Sequence, residues 1–297
     1  MGKKEETRLH GSPKLVKFFI YLMLALLAVT IIVPVAWVFV ASIKENSEFY
    51  GSPWVLPKGI HYQNFIDAWQ KADMGSYMLN SVLVTALALA LLIIIALPAA
   101  YVLARFKFLG RGFWNTMFMA GLFINVNYIV VPIFLMLNNG DIWLRQTFGG
   151  TFFLNNLFIL ALVYASTALP FTIYLLSGYF KSLAKDYEEA AYVDGAGYFY
   201  TMVRIIMPMA KPSIVTVILF NFLSFWNEYI ISMTLLTKAE LKTLPVGLMN
   251  LMAAQRSAVQ YGQMYAGLVI VMLPTLILYM CVQKKLTQGM TIGGLKG

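Results

Sequence analysis

Charged residues are scarce in this sequence. They make up 12% of its 297 residues, about half the share found in an ordinary soluble domain, while apolar residues make up 60%. A soluble fold of this length could not bury so much apolar surface, because it must still present a polar coat to water. The composition therefore predicts an integral membrane protein and excludes most soluble enzymes.

Cysteine and histidine are nearly absent. The single cysteine, Cys281, excludes a disulfide within the chain and a cage of thiolate ligands. The two histidines, His10 and His61, are far apart in sequence and have no metal-ligand spacing around them, so we expect no metal site. The net charge of +9 does not indicate nucleic acid, because the basic residues cluster at the edges of apolar runs, where they contact lipid headgroups.

Long apolar runs are what the sequence has in excess. A transmembrane helix needs about 20 mainly apolar residues. The first run is longer than the apolar region of about 7–15 residues in a signal peptide, so we expect it to remain as a membrane anchor. The expected fold class is all-α: a polytopic membrane protein with six transmembrane helices in one domain. The six runs lie at 18–43, 78–104, 113–137, 157–176, 214–236 and 265–282.

The distribution of basic residues predicts the orientation. With the N-terminus inside, roughly twice as many Lys and Arg fall on the inner side as on the outer side, which favours cytoplasmic termini at the cell membrane. The expected division is a cytoplasmic tail at 1–17, a six-span domain at 18–283 and a second cytoplasmic tail at 284–297. A polar, charged loop at 181–212 lies on the inner side, between the fourth and fifth spans.

The pattern of this loop predicts a short helix, a glycine turn and a second helix. The stretch 185–193 is rich in helix formers, and Glu188 and Glu189 lie near its start, where the helix dipole favours anions. Gly195 can adopt the left-handed conformation that ends such a helix. Pro208 then interrupts the second helix before the fifth span begins.

The loop resembles the EAA loop of ABC importer permeases. That family pattern is Glu-Ala-Ala, three residues, Gly, nine residues, Ile, one residue and Leu-Pro, and the sequence departs from it only at Met207, a volume-conserving change. The resemblance implies a type I ABC importer permease fold whose loop forms coupling helices that dock on an ATPase. The coupling residues that it implies are Glu189, Ala190, Ala191, Asp194, Gly195, Ile205 and Pro208.

The resemblance extends beyond the loop to the MalG-type, carbohydrate-importing branch of the family. In that branch a similar C-terminal tail enters the ATPase dimer, which implies ATPase contacts for Gln288, Gly289, Thr291 and Gly293. The implied partners are a second homologous permease, two ATPase subunits or an ATPase homodimer, and an extracytoplasmic sugar-binding protein, with membrane lipid around the spans. Asn64-Phe65, Asn80-Ser81 and Asp194-Gly195-Ala196 also resemble this oligosaccharide-importing branch.

The chain itself is expected to be a transport subunit and not an enzyme. The phosphate-binding pattern Gly-x-x-x-x-Gly-Lys-Ser/Thr does not occur in the sequence, so ATP and magnesium would be bound by the partner ATPases and the chain would need no cofactor. The expected function is to couple ATPase closure to alternating access for a carbohydrate. Rigid helices would pass the motion of the loop to the spans.

Polar residues within two predicted spans are candidates for the translocation path. Glu228 is the one acidic residue placed within a predicted span, where a charge costs about 3 kcal/mol unless it faces protein or a water-filled cavity. Two interpretations stay open for these residues, sugar binding or gating on one side and interhelical hydrogen bonding on the other. The candidates are Asn221, Trp226, Asn227 and Glu228 in the fifth span, and Asn125, Asn127 and Tyr128 in the third.

Two other classes of protein compete with this interpretation. An ion-coupled secondary transporter could use Glu228 as a proton or sodium site, but it has no use for a docking helix pair. An intramembrane enzyme would need paired ionisable residues at membrane depth, and the predicted spans offer Glu228 alone. The EAA-type loop therefore favours the ABC permease.

Overall fold

The computed structural model describes residues 14–50, 52, 54–71, 73–254 and 260–294, with the backbone alone for 71, 254 and 284–294. The described residues form helices and no β-strand. One turn of π-helix, the π-turn, spans Met202–Ile206. The helices are α1 (Lys14–Ser42), α2 (Gln63–Lys71), α3 (Met74–Arg105), α4 (Arg111–Gly121), α5 (Val126–Phe148), α6 (Leu157–Ser182), α7 (Asp186–Val193), α8 (Tyr198–Thr201), α9 (Met207–Met209), α10 (Lys211–Trp226), α11 (Ile230–Leu235), α12 (Leu244–Ala254) and α13 (Tyr261–Gly294).

Length and composition identify the membrane spans among these helices. Within the described residues, four helices are long and apolar enough to cross a membrane singly: α1, α3, α6 and the Tyr261–Gln283 part of α13. Two pairs of consecutive helices are also long and apolar enough when each pair is taken together. They are α4 with α5, which are bent by 104° relative to each other, and Tyr198–Met209 with α10, which are bent by 76°. Counting each bent pair as one span gives up to six spans, in agreement with the number of apolar runs.

The third apolar run is not the continuous helix that the sequence predicts for 113–137. α4 ends at Gly121, and α5 begins after Asn125, whose side chain accepts a hydrogen bond from the backbone N–H of Asn127 at 3.0 Å. An asparagine that satisfies a free N–H in this way starts a new helix. Hydrophobicity alone predicts the apolar run but not this cap, which lies at the 104° bend.

The fifth apolar run, predicted at 214–236, is also broken. α10 ends at Trp226, and α11 begins at Ile230. Glu228 lies in the break, and its carboxylate accepts hydrogen bonds from the backbone N–H groups of Ile231 at 2.7 Å and Ser232 at 3.1 Å. The acidic residue expected inside a helix therefore stands before α11 and satisfies two of the N–H groups that the start of a helix leaves free.

The centre of the bundle is the packing of α3 against α6. Small residues line this contact: Ala88, Ala96 and Ala100 on α3 and Ala161 and Ala165 on α6 are all buried. Because lipid tails are as apolar as leucine, membrane helices associate through close packing, which small side chains permit. The α3–α6 pair thus forms the stiff scaffold of the fold.

The first helix has the opposite character. None of the residues in the most apolar 18-residue window of α1 is buried, and its buried residues, Ala41 and Ser42, lie at its C-terminal end. α1 packs along α13 and leaves most of its other apolar side chains exposed. A face of this kind on an apolar helix is what lipid covers in a membrane.

Two asparagines fasten the helices at the end of α3 remote from residues 181–212. The amide of Asn64 donates to the carbonyls of Ser42 and Lys44 at 2.9 and 2.8 Å and so joins α2 to the end of α1. The amide of Asn80 donates to the carbonyls of Glu240 and Lys242 at 2.9 and 3.0 Å. Both asparagines stand in dipeptides that resemble the importer family, and each holds the backbone of another segment, the end of α1 for Asn64 and residues 240–242 for Asn80.

Candidate functional site

The loop at 181–212 projects a short helix whose two faces differ. On α7, Glu189 and Ala190 are exposed, whereas Glu188 and Ala191 are 7% and 5% exposed and face the body of the protein. Successive residues of an α-helix point about 100° apart, which separates the two neighbouring glutamates. The exposed face is therefore free for a partner, and the buried face holds α7 in place.

The turn after α7 is a Schellman motif centred on Gly195. This glycine has a φ of +81°, the left-handed conformation expected from the sequence. The N–H of Gly195 donates to the carbonyl of Tyr192 at 3.0 Å, and the N–H of Ala196 donates to the carbonyl of Ala191 at 2.9 Å. These two bonds satisfy carbonyls that the helix end would otherwise leave free.

The second helical segment of the loop runs from Tyr198 to Met209 and bends by 76° into α10. Pro208 lies at the end of this segment, directly after the π-turn Met202–Ile206. A proline cannot donate a backbone hydrogen bond, and a local change of helical register accommodates that loss. Ile206, in the π-turn, is fully buried, so the segment is anchored in the bundle.

A cleft of about 530 Å³ opens between α7 and the second segment. It brings together four of the seven predicted coupling residues, whereas Glu189 and Ala190 lie on the exposed face of α7 and Pro208 lies at the far end of the second segment. The cleft is lined by Ala191, Asp194, Gly195, Ala196, Gly197, Tyr200 and Ile205.

A shielded ion pair joins the loop to α3. The Nε atom of Arg105 lies 3.2 Å from Oε1 of Glu188, and the two side chains are 5% and 10% exposed. The Nη2 atom of Arg105 also donates a hydrogen bond to the carbonyl of Leu183 at 2.9 Å. The sequence does not predict this contact, because in it Arg105 is only a basic residue at the end of an apolar run and Glu188 only an anion near a helix start.

Aromatic rings surround this ion pair. Tyr101 and Phe106 have ring centroids 5.7 Å apart, Phe106 and Tyr198 are 5.5 Å apart, and Tyr198 and Tyr192 are 5.0 Å apart, all edge-on. Tyr101 also meets Phe180 of α6 at 5.7 Å. Edge-on pairs are favourable contacts between rings, and they tie the loop to α3 and α6.

The pKa of Tyr192 is shifted by residues of this same cluster. Burial of the phenol raises this pKa most strongly, whereas the neighbouring Tyr101 lowers it. The charge of Glu188 raises it further, and the charge of Arg105 lowers it. The tyrosine therefore stays neutral near pH 7 and lies next to both members of the ion pair.

The polar candidates of the fifth run make hydrogen bonds inside the protein. Glu228 accepts from the hydroxyl of Tyr164 at 2.7 Å, in addition to the two N–H groups of α11. The amide of Asn221 donates to the hydroxyl of Thr172 at 3.0 Å, and Nε1 of Trp226 donates to the carbonyl of Val271 at 3.1 Å. Asn227 is exposed and donates back to the carbonyl of Leu223. These contacts favour the interhelical interpretation for Asn221, Trp226 and Glu228.

The polar candidates of the third run lie at the start of α5. Asn125 and Asn127 are exposed at the bend between α4 and α5, and the side chain of Tyr128 is 82% exposed. Asn125 caps α5, so it has a structural role, while Asn127 and Tyr128 stay available for a partner. A place in the translocation path stays a prediction for these residues.

The remaining predicted contacts lie at the C-terminus. Gln288, Gly289, Thr291 and Gly293 fall outside the side chains that the structure describes, so their contact with an ATPase also stays a prediction. In the part of the chain that is described, no three histidine, cysteine or acidic residues come together as a set of metal ligands.

The helical spans and the exposed helix–turn–helix projection are those of a polytopic membrane protein. The model of the family described as "binding-protein-dependent transport system inner membrane component" matches residues 93–292, and the chain belongs to this family. It is a permease subunit, a component of the inner membrane.

Several known permeases resemble the chain over most of its length. A diacetylchitobiose uptake system permease protein of Streptomyces coelicolor is 36% identical over 271 residues, which cover 91% of this chain and 86% of the relative. A probable ABC transporter permease protein of Bacillus subtilis is 33% identical, with coverage of 94% and 88%. A trehalose/maltose transport system permease protein of Thermococcus litoralis is 28% identical, with coverage of 92% and 94%.

A solved structure supports the fold. The chain matches a bacterial ABC transporter involved in the import of the acidic polysaccharide alginate with a TM-score of 0.76 and 24% sequence identity. The match covers 94% of this chain and 99% of that chain. The helical arrangement is thus that of an ABC importer permease.

Proposed function

We propose that this chain is one of two permease subunits in an ATP-driven importer of an oligosaccharide. The family supports the transport role, and relatives named for diacetylchitobiose and for trehalose and maltose support the substrate class. The substrate would arrive on an extracytoplasmic binding protein. A second, homologous permease would complete the pathway, because the chain has one EAA-type loop.

The coupling step is assigned to the exposed face of α7. ATP and magnesium bind to two ATPase subunits, whose closure displaces the loop and opens the pathway outward; hydrolysis resets it. Glu189 meets a basic groove on the ATPase, and Ala190 permits close packing beside it. Both termini are cytoplasmic, and the C-terminal residues 288–293 contact the ATPases. The observation that carries this assignment is the exposed Glu189 on a helix fixed by the Gly195 turn.

Transport in proteoliposomes tests the proposal. The complex is purified from native membranes through a tag on this chain, and uptake of radiolabelled diacetylchitobiose and maltose is measured with and without internal ATP. We expect uptake that requires ATP and does not respond to an ion gradient. Uptake driven by a proton or sodium gradient without ATP would instead establish the secondary transporter.

Replacing Glu189 by Lys tests the docking surface. A like-charge contact at an interface costs several kcal/mol, so we expect the ATPase to be lost from the purified complex while the permease still reaches the membrane. The exposed Glu240, at the end of α3 remote from the loop, supplies the matched control, Glu240→Lys. Equal ATPase recovery with Glu189→Lys and wild type would remove Glu189 from the contact.

A further inference from the structure

The two neighbouring glutamates of α7 have different surroundings. Glu189 is exposed, whereas Glu188 faces the bundle and pairs with Arg105 across 3.2 Å. Removal of either member of a shielded pair leaves the other charge without compensation in a poorly solvated place. The face of α7 opposite Glu189 is thus tied by an ion pair to the end of α3.

We propose that the Arg105–Glu188 pair transmits the displacement of α7 to α3. Both are positioning residues, since they touch neither the ATP nor the sugar. The inference rests on the proposed function, because it takes the ATPase to dock on α7. It adds how the movement of a short surface helix reaches the membrane spans.

The position of Arg105 makes the connection direct. It is the last residue of α3, and its guanidinium contacts both Glu188 on α7 and the carbonyl of Leu183, just before α7. A planar guanidinium that makes two contacts at once is held in one orientation. A push on α7 therefore acts on the end of α3 and, through the alanine-lined contact, on α6.

Through the chain itself, residues 183–185 connect α7 to α6 but not to α3, and the route towards the C-terminus is less direct. From α7 it passes the glycine turn at Gly195, the π-turn Met202–Ile206 and a 76° bend before it reaches α10. Each of these irregular features is a place where a displacement can be absorbed, because hinge movements concentrate where a helix is interrupted. The Arg105–Glu188 contact bypasses all three.

Single variants of the purified complex test the inference. With Glu188→Gln or Arg105→Gln, we expect the ATPase to stay bound and to hydrolyse ATP, while sugar uptake per ATP falls about tenfold or more. Lys107→Gln, at an exposed basic residue two positions after Arg105, is the matched control and should transport normally. Normal uptake per ATP in both single variants overturns the inference.

Two double variants separate transmission from stability, because neither leaves a lone charge in the pair. R105L/E188L replaces the contact by apolar packing, and R105E/E188R restores the attraction with the charges exchanged. We expect the exchanged pair to transport several times faster than the leucine pair, with equal ATPase recovery. An exchanged pair that transports no faster, including one that does not accumulate, overturns the inference. Wild-type complex that takes up sugar without ATP overturns the proposed function instead.

Discussion

At the scale of the residue, single backbone conformations set the geometry of the loop. Gly195 has a φ of +81°, and a Cβ atom added there would meet nothing within 4 Å. The surroundings therefore leave room for a side chain at position 195, and only the left-handed backbone conformation disfavours residues other than glycine. An L-residue held in the left-handed region is strained by about 1–2 kcal/mol.

Replacing Gly195 by Val should weaken ATPase docking through this strain. The favourable conformation of valine would redirect the chain after α7 and shift the exposed face of that helix. The matched control is Gly197→Val, since Gly197 has a φ of −74° and equally open surroundings. Recovery of the ATPase with the tagged permease measures the effect. Equal recovery with both variants would show that the turn does not position the docking face.

A second residue-scale prediction concerns Glu228, which lies between α10 and α11 and accepts three hydrogen bonds, one from Tyr164 of α6 and two from backbone N–H groups of α11. Hydrogen bonds to a charged group contribute about 1.5–3 kcal/mol, so Glu228→Gln should lower the thermal stability of the permease in detergent. Asn227→Ala, at the exposed neighbour, should change it little. ATPase recovery should stay normal in both. An unchanged melting temperature for Glu228→Gln would favour a site for substrate or ions over a structural role.

At the scale of the element, α4 depends on a close approach to α6. A Cβ atom at Gly121 would lie 2.8 Å from Cγ of Pro170, whereas one at Gly112, on the same helix, would meet nothing within 4 Å. A proline ring has little freedom to move aside. The end of α4, just before the 104° bend, is therefore fixed by a contact that only glycine permits.

Two alanine substitutions on α4 should consequently act in opposite directions. Gly112→Ala should raise the thermal stability slightly, because alanine favours a helix over glycine by about 0.5–1 kcal/mol. Gly121→Ala should lower it, because overpacking at a tight contact costs about 1–3 kcal/mol. Melting of the purified permease checks both. Stabilisation by both substitutions would show that the α4–α6 contact yields without cost.

At the scale of the whole molecule, the proposed orientation puts α7 and the end of α1 on opposite sides of the membrane. The test uses a Cys281→Ser background, because Cys281 is exposed. A thiol at Val193, which is 88% exposed after α7, should react with a membrane-impermeant reagent only in inverted vesicles. A thiol at Ile60, which is 75% exposed beyond the end of α1, should react only in right-side-out vesicles. The reverse pattern would invert the proposed topology.

The sequence by itself determined the apolar runs, the helix–turn–helix of the loop and the left-handed Gly195. Each of these depends on local information: the length of an apolar segment, the spacing of a motif and the conformational freedom of one residue. The family resemblance, confirmed by the comparisons, depends on the same local spacing around Glu189.

Only the tertiary structure decided where the spans bend and which residues meet across the bundle. The breaks after Gly121 and Trp226 depend on side-chain caps and on contact with α6, which an average of hydrophobicity does not record. The Arg105–Glu188 pair joins residues that are far apart in the chain, and they meet because packing on α6 brings the end of α3 beneath α7. Such a contact is a property of packed helices, whereas the motif beside it is a property of one segment.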